Sequence, residues 1–196
     1  MNEMTAIIIL AAGNSSRLGT PKQLLRYKNK TLLQTAIEEA SLVPNAIVFV
    51  VTGANHDVIQ NEPYTESAII CYNGDWEKGM STSIATGLKE LLALHPDIQK
   101  CIFTVCDQPY LSSCVFKDLI NSYFKTRNGI IASSYSQTLG TPVLFDKKYF
   151  DALLALKGQE GAKKIITRFL DDTASVVFEK GAVDIDTIED YHNLIN

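Results

Sequence analysis

The fold is indicated most directly by residues 7–22, which read IIILAAGNSSRLGTPK. Its apolar half ends at Gly13, and a polar loop follows that carries two cations, Arg17 and Lys22. A buried strand that ends in a loop of small residues leaves backbone N–H groups accessible, because no side chain blocks them. Together with the two cations, these N–H groups predict a site for an anionic ligand.

The composition of the whole chain indicates an ordinary globular protein. It has 196 residues, of which 46% are hydrophobic and 20% charged, enough for one domain with a full core. The net charge of −4 argues against a nucleic-acid binder, and no apolar run approaches the ~20 residues of a membrane span. The N-terminus does not read as a signal peptide. We therefore expect a single domain, residues 1–196, with small-molecule ligands and neither nucleic acid nor membrane as a partner.

The four cysteines support an intracellular setting. Cys71, Cys101, Cys106 and Cys114 lie in or beside apolar strands and have neither C-x-x-C nor zinc-ligand spacing. Such residues are typical of free, buried thiols in a reducing compartment. The sequence therefore predicts a cytoplasmic protein.

Short β-branched runs alternate with helical patterns along the chain. Alternation of this kind predicts an α/β fold with a doubly wound, mostly parallel sheet between two layers of helices. Strands are predicted at residues 6–10, 46–51, 68–72, 100–105, 129–133, 142–145, 175–178 and 183–185, and helices at 31–42, 54–60, 80–94, 112–125, 147–156, 161–170 and 187–194.

Ligands of such sheets bind at the carboxyl ends of the strands, and two further polar loops fall there. Asp107 directly follows a buried strand, where a carboxylate can hold Mg²⁺ together with substrate phosphates. The alternative to a metal ligand is an aspartate that only forms a turn before a proline. Residues 73–83 lead into the clearest helix, so Ser81 lies at a helix N-terminus that favours anions. A plain N-cap is the alternative there.

The first loop resembles a known signature. Its spacing, G-x-S-x-R-x-G-x-P-K, is neither a P-loop nor G-x-G-x-x-G. Residues 10–22 resemble the signature loop of the MobA-like nucleotidyltransferases. The resemblance implies a Rossmann-like nucleotidyltransferase fold, in which this loop wraps a nucleoside triphosphate while Arg17 and Lys22 hold its phosphates. The alternative is an ordinary strand-to-helix connection with two solvated cations.

Four further segments, in order along the chain, extend the resemblance. The sequence CDQP at residues 106–109 is similar to the family's D-x-P, whose aspartate binds the catalytic Mg²⁺. Residues 73–83 and 140–145 resemble segments of one branch, the molybdenum cofactor cytidylyltransferases. The tail DIDTIED, residues 184–190, resembles one that returns a second carboxylate to the site. This implies Asp186 as the second metal ligand, with Asp184 on the same face as a helper.

One segment departs from the branch. The branch usually has G-D-x-G-A-R near the acceptor, whereas residues 158–163 read GQEGAK, with Gln159 and Lys163 at the differing positions. Lysine does not replace arginine at a bidentate phosphate site. The departure therefore leaves the acceptor open.

The resemblance implies a Mg²⁺-dependent enzyme that transfers a nucleoside monophosphate from its triphosphate to a phosphorylated acceptor and releases pyrophosphate. Family members that use pyrimidine nucleotides tend to read L-A-A-G and those that use GTP tend to read L-A-G-G, so Ala12 implies CTP. The implied acceptor is molybdopterin, with a transient contact to a molybdoenzyme or its maturation factor. The rivals are a sugar- or alditol-phosphate nucleotidyltransferase, a non-catalytic nucleotide-binding protein of the same fold, and a Rossmann-type dinucleotide binder, which would lack its G-x-G-x-x-G.

The resemblance also implies a set of site residues. They are Arg17, Lys22 and Asp107 for catalysis; Leu10, Ala11, Ala12, Gly13, Ser15, Arg17, Lys22, Asn73, Ser81 and Asp107 for nucleotide binding; and Asp107 and Asp186 for Mg²⁺.

Overall fold

A computed structural model describes residues 3–196 as a seven-stranded, mostly parallel sheet with helices on both faces, which confirms the predicted fold class. The strands are β1 (Thr5–Ala11), β2 (Arg26–Tyr27), β3 (Lys30–Thr31), β4 (Ala46–Thr52), β5 (Ile69–Tyr72), β6 (Lys100–Val105), β7 (Ile130–Tyr135), β8 (Thr138–Asp146) and β9 (Thr173–Val177). The helices are α1 (Leu32–Ser41), α2 (His56–Ile59), α3 (Met80–Leu94), α4 (Ser113–Thr126), α5 (Phe150–Leu154), α6 (Ala162–Arg168) and α7 (Ile188–Ile195). Within residues 3–196, no helix has the length and apolar character that crossing a membrane requires.

The strand order is β5-β4-β1-β6-β8-β7-β9, and β2 pairs with β3 in a small separate hairpin. From β1 the chain moves outward through β4 to β5 and then returns to β6 on the other side of β1, so that Leu10 lies between Val51 and Val105. The loops that follow β1 and β6 therefore lie side by side at the carboxyl end of the sheet, where the strand order reverses. Ligands of open α/β sheets bind at such a point.

Strand β1 is apolar from Ala6 to Ala11 because helices cover both of its faces. Ile7 and Ile9 pack with α1 and α4 in one apolar layer, and Ile8 packs with α3, α5 and α6 in the other. All three isoleucines are fully buried. This double coverage holds the end of β1, and the loop after it, in one place.

The second half of the sheet differs in detail from the sequence prediction. β8 runs antiparallel to both β6 and β7, and the two-residue turn between β7 and β8 has positive φ at Ser136 and Gln137. Both central residues of a tight hairpin turn of this kind need that backbone conformation. The residues between the two predicted strands, 129–133 and 142–145, therefore form the end of a longer hairpin.

The predicted strand at residues 183–185 is wrong, because this segment is irregular in the structure. The Ile185 N–H donates to the Asp107 carbonyl oxygen at 3.0 Å, but among the described residues no ladder of backbone hydrogen bonds continues from it. The buried Ile185 side chain packs instead with Leu18 and Leu32 in a small apolar cluster. Ile185, the apolar residue between Asp184 and Asp186, thus produced the alternating pattern. Its contacts bring the two aspartates to the end of the sheet.

Candidate active site

A cleft of about 320 Å³ opens at the crevice between the ends of β1 and β6. A smaller pocket of about 140 Å³ adjoins it and shares Gly13, Asn14 and Lys22 with it, while Asp186 lines only the smaller pocket. The cleft wall combines apolar side chains with a few polar ones, as small-molecule sites commonly do. Its lining residues are Leu10, Ala12, Gly13, Asn14, Lys22, Trp76, Glu77, Gly79, Met80, Ser83, Val105, Asp107 and Gln159.

Four charged side chains from three distant segments meet beside the cleft. The Lys22 ammonium is hydrogen-bonded to the Asp107 carboxylate, and its Nζ lies 3.0 Å from Asp186 Oδ1. The Arg17 guanidinium, which is exposed, reaches Asp186 Oδ2 at 3.1 Å. The side chains of Lys22 and Asp107 are only 19% and 16% exposed, so water screens this pair less than a surface pair.

The pKa values of these groups follow from their mutual contacts. Burial alone would lower the pKa of Lys22, but the carboxylates of Asp107 and Asp186 outweigh it and raise that pKa well above its ordinary value. Hydrogen bonding from Lys22 and the nearby charge of Arg17 hold the pKa of Asp186 below its usual range. At neutral pH Lys22 is therefore charged and Asp186 ionised, and the site carries separated charges of both signs.

Asp184 lies close to the same group of charges. Burial raises the pKa of its carboxyl, and the neighbouring charges of Asp107 and Asp186 raise it further. Three carboxyl groups thus approach one another at this edge of the sheet, and the charges of Lys22 and Arg17 offset their repulsion.

The donor set suits a hard divalent cation that arrives with its own phosphate ligands. Among residues 3–196, no group of three or more His, Cys, Asp or Glu side chains is placed to hold a metal by itself. Asp107 and Asp186 offer carboxylate oxygens, the ligands Mg²⁺ prefers, but the Lys22 ammonium lies between them. Two carboxylates completed by substrate phosphates fit the usual Mg²⁺ arrangement, and the metal roles of Asp107 and Asp186 stay a prediction.

Within the first loop, the predicted nucleotide-binding residues take different positions. Leu10, Ala12 and Gly13 line the cleft, whereas the side chain of Ala11 is buried in the core beneath it. The Ser15 hydroxyl accepts a hydrogen bond of 2.9 Å from the Lys22 N–H, which ties the two ends of the loop together.

Asn73 faces the protein interior and is absent from the cleft lining. Its Nδ2 donates to Thr82 Oγ1 at 2.9 Å and to Ser83 Oγ at 3.0 Å, and its Oδ1 accepts from the Asp75 N–H at 3.0 Å. All of its bonding groups are therefore engaged in holding the loop against the first turn of α3. This local clamp gives the asparagine a structural role, and its contact with a nucleotide stays a prediction.

Ser81 is buried at the start of α3, and its N–H donates to the Gly158 carbonyl oxygen at 3.2 Å. This contact draws the 158–163 segment to the cleft, and Gln159 becomes part of its wall. Lys163 lies away from the wall, where its Nζ donates to Thr138 Oγ1 at 3.0 Å. Of the two departures from the branch pattern, only Gln159 is placed to touch a ligand.

The approach of α3 to the 158–163 segment depends on Gly79, whose φ is +113°. A Cβ at Gly79 would lie 2.3 Å from the Gly158 carbonyl oxygen, a contact between backbone groups that cannot move independently. Gly79→Ala is expected to lower the free energy of unfolding by about 3 kcal/mol, since backbone strain and this overlap add. Urea denaturation measures the loss.

Gly158 provides the matched control, because its φ is +56° but a Cβ there would meet nothing within 4 Å. Gly158→Ala should cost only the ~1 kcal/mol of a left-handed alanine. Equal losses in the two variants would show that the Gly79–Gly158 approach is unimportant.

Sequence reasoning missed several wall residues. Met80 and Ser83 are one helical turn apart on the first turn of α3, so a search of that turn for a common face could have found them. Trp76, in the loop before α3, also lines the cleft. Glu77 and Val105 carried no signal.

The chemistry available at the cleft is binding and positioning of anions. Cys106 follows β6 directly, but burial raises the pKa of its thiol to about 12, so it is not a thiolate nucleophile at neutral pH. The charged cluster instead places cations beside carboxylates, which is what a phosphate-bearing substrate with its metal requires.

Comparison with known proteins agrees with this arrangement. The family model for the MobA-like NTP transferase domain matches residues 7–174. Nicotine blue oxidoreductase from Paenarthrobacter nicotinovorans is 30% identical over 96% of this chain and 95% of its own length. Molybdenum cofactor cytidylyltransferase from Escherichia coli (strain K12) is 26% identical, again over 96% and 95%. The crystal structure of Rv0371c from Mycobacterium tuberculosis H37Rv has a TM-score of 0.84 at 24% identity, covering 100% of this chain and 98% of that chain. Since the family model spans most of the chain, including the charged loop and Asp107, the chain belongs to the MobA-like NTP transferase family of nucleotidyltransferases.

Proposed function

We propose that this protein transfers CMP from CTP to a phosphorylated acceptor, with molybdopterin as that acceptor and Mg²⁺ as cofactor. One observation carries the proposal: the Lys22 ammonium lies between the Asp107 and Asp186 carboxylates at the edge of a cleft, where the strand order reverses. Membership of the family and the 26%-identical relative named as a molybdenum cofactor cytidylyltransferase support the choice of reaction.

In this reaction an oxygen of the acceptor's phosphate forms a new bond to the α-phosphorus of CTP, and the bond to the departing pyrophosphate breaks. Lys22 and Arg17 neutralise the triphosphate charge and the charge that develops on pyrophosphate. Asp107 and Asp186 would hold Mg²⁺, which when bound supplies further positive charge to the phosphates. Since the nucleophile belongs to the acceptor, the protein needs no Ser–His or Cys–His pair, and its main task is to align the two substrates.

The choice of CTP depends on Ala12, which lies on the cleft wall and is only 6% exposed. The Ala12→Gly variant is expected to lower the preference for CTP over GTP about tenfold, because the space of one methyl group becomes available to the larger base. Steady-state kcat/KM values for the two nucleotides provide the measurement, and retained turnover with CTP shows that the variant is intact. An unchanged ratio would mean that another part of the cleft selects the base.

The experiment that tests the function combines binding and turnover. Purified protein with Mg²⁺ is offered each of the four nucleoside triphosphates, and a rise in unfolding temperature reports binding to the folded state. Pyrophosphate release is then followed with molybdopterin, a sugar phosphate or an alditol phosphate as acceptor. Release with CTP and molybdopterin alone is the expected result.

The other outcomes identify the rivals. Release only with a sugar or alditol phosphate would assign the Gln159 wall to that acceptor. Stabilisation by CTP without release would indicate a nucleotide-binding protein. Because the 30%-identical relative is named as an oxidoreductase, a reduced nicotinamide dinucleotide is included among the ligands tested for binding. Stabilisation by that compound and by none of the triphosphates would overturn the proposal.

A further inference from the structure

Three consecutive carbonyl groups of the first loop are satisfied by groups outside the cleft lining. Gln23 Nε2 donates to the Ala11 carbonyl oxygen at 2.8 Å and to the Gly13 carbonyl oxygen at 2.9 Å. The Ala54 N–H donates to the Ala12 carbonyl oxygen at 3.1 Å, and Asn55 Nδ2 adds a weaker contact of 3.3 Å to Gly13. All of these carbonyl oxygens are therefore occupied before any ligand arrives.

The N–H groups of the same loop are in the opposite condition. Those of Gly13, Asn14 and Ser15 donate no hydrogen bond to any other residue of the described range 3–196. Ser15 has a φ of +54°, and all three residues line the small pocket that also holds Lys22. Successive N–H groups without partners, next to a cation, form a concavity suited to phosphate oxygens.

Gln23 is the residue that separates these two sets of backbone groups. Its side chain is 1% exposed, and both donors of its amide point to loop carbonyls. Its own oxygen, Oε1, is buried and has no hydrogen-bond partner among the described residues. Leaving a buried acceptor unsatisfied is destabilising. The amide keeps this orientation because its two donors satisfy two loop carbonyls, which its oxygen could not do.

The position of Gln23 in the chain strengthens the link. It follows Lys22 in one short turn, Lys22–Leu24, and the Lys22 N–H donates to Ser15 Oγ at 2.9 Å. The same turn therefore places a cation in the site and an amide behind the loop. A change in the Gln23 amide contacts should therefore alter the orientation of the loop N–H groups without moving the Lys22 charge.

We propose that Gln23 is a positioning residue, which binds the loop carbonyls from behind so that the N–H groups of residues 13–15 face the nucleotide's phosphates. This inference rests on the proposed function only in taking a polyphosphate as the ligand. Gln23 acts through the backbone and does not touch the substrate.

The test compares Gln23→Met, which keeps the length of the side chain but has no donor, with Gln23→Glu, which places a carboxylate against two carbonyl oxygens. The control is Gln60→Met on an exposed glutamine. Calorimetry measures the affinity for pyrophosphate, for CTP and for cytidine, which lacks phosphates, and urea denaturation measures stability. We expect about a tenfold loss of affinity for pyrophosphate and CTP in Gln23→Met, a larger loss in Gln23→Glu, and unchanged affinity for cytidine.

A merely structural role would change stability and lower all affinities together, so the split between cytidine and the phosphate-bearing ligands decides the matter. Wild-type affinity for pyrophosphate in a folded Gln23→Met variant would overturn the proposal. If that variant fails to fold, Asn55→Ala serves in its place, because it removes only the additional donor to Gly13. Asn55→Ala should weaken pyrophosphate binding two- to threefold, and unchanged binding would equally overturn the proposal.

The pyrophosphate measurement separates this inference from the proposed function. A wild-type protein that binds pyrophosphate but transfers no CMP would refute the transfer reaction and leave the Gln23 comparison valid. A wild-type protein that binds no phosphate compound at all would overturn both.

Discussion

Asp107→Asn is expected to lower kcat for pyrophosphate release about a thousandfold while the protein remains folded. Asparagine keeps the size of the side chain but removes the negative charge that pairs with Lys22 and that, in the proposed reaction, would help to hold Mg²⁺. The loss should appear in kcat more than in KM, because the triphosphate keeps its contacts with the first loop. Initial rates at saturating CTP and Mg²⁺ provide the measurement.

The matched control is Asp97→Asn, an exposed aspartate outside the cleft, which should keep wild-type rates. Thermal stabilisation by CTP should persist in Asp107→Asn and so show that the site is still formed. Full turnover in this variant would remove Asp107 from catalysis and leave nucleotide binding as the only supported role of the cleft.

Lys22→Met should produce the second large effect, a loss of about a thousandfold in kcat/KM and of about 2 kcal/mol in unfolding free energy. The methionine retains the apolar stem but removes the ammonium that binds Asp107 and Asp186. The repulsion among these two carboxylates and Asp184 is then offset less strongly, by Arg17 at Asp186. Breaking a fully buried pair costs about 3–5 kcal/mol, and partial exposure reduces that figure here. Urea denaturation and steady-state kinetics measure the two losses.

Mg²⁺ gives this variant a distinctive behaviour. In the wild-type protein the ammonium lies between the two carboxylates, so Mg²⁺ without nucleotide should change the unfolding temperature little. In Lys22→Met the same carboxylates are free to take the ion, and Mg²⁺ should restore part of the lost stability. Lys89→Met, at an exposed position on α3, is the control. An identical response to Mg²⁺ in all three proteins would show that Lys22 does not compete with the metal.

Local patterns were enough to predict most of the architecture. The three isoleucines of β1 and the continuous apolar run of β4 indicate strands covered on both faces, and both are central strands of the sheet. The helices predicted at residues 31–42 and 80–94 are likewise present, as α1 and α3. These features depend on neighbours a few residues apart, which is why a single sequence contains them.

The error at residues 183–185 has the same origin. Alternation there predicted a strand, but a strand also needs a partner of matching register. Among the described residues, this segment makes one backbone hydrogen bond to a distant segment, from the Ile185 N–H to the Asp107 carbonyl oxygen, and a local one within its own turn. The family resemblance implied Asn73 as a nucleotide-binding residue, and that role stays a prediction. In the structure its amide donates to the two hydroxyls beside it on α3. A choice between ligand and local clamp depends on where the helix lies, and composition does not contain that information.

The class of the fold and the family of the loop at residues 10–22 follow from the sequence, which also predicts that this loop is an anion site. The tertiary structure is needed to show that Lys22 lies between two aspartates 85 and 164 residues away, and that Gln23 turns its amide to the back of the loop. The difference is one of range. Strands and helices follow from short-range periodicity, whereas the direction of a charged or amide side chain is set by the partners that distant segments bring to it.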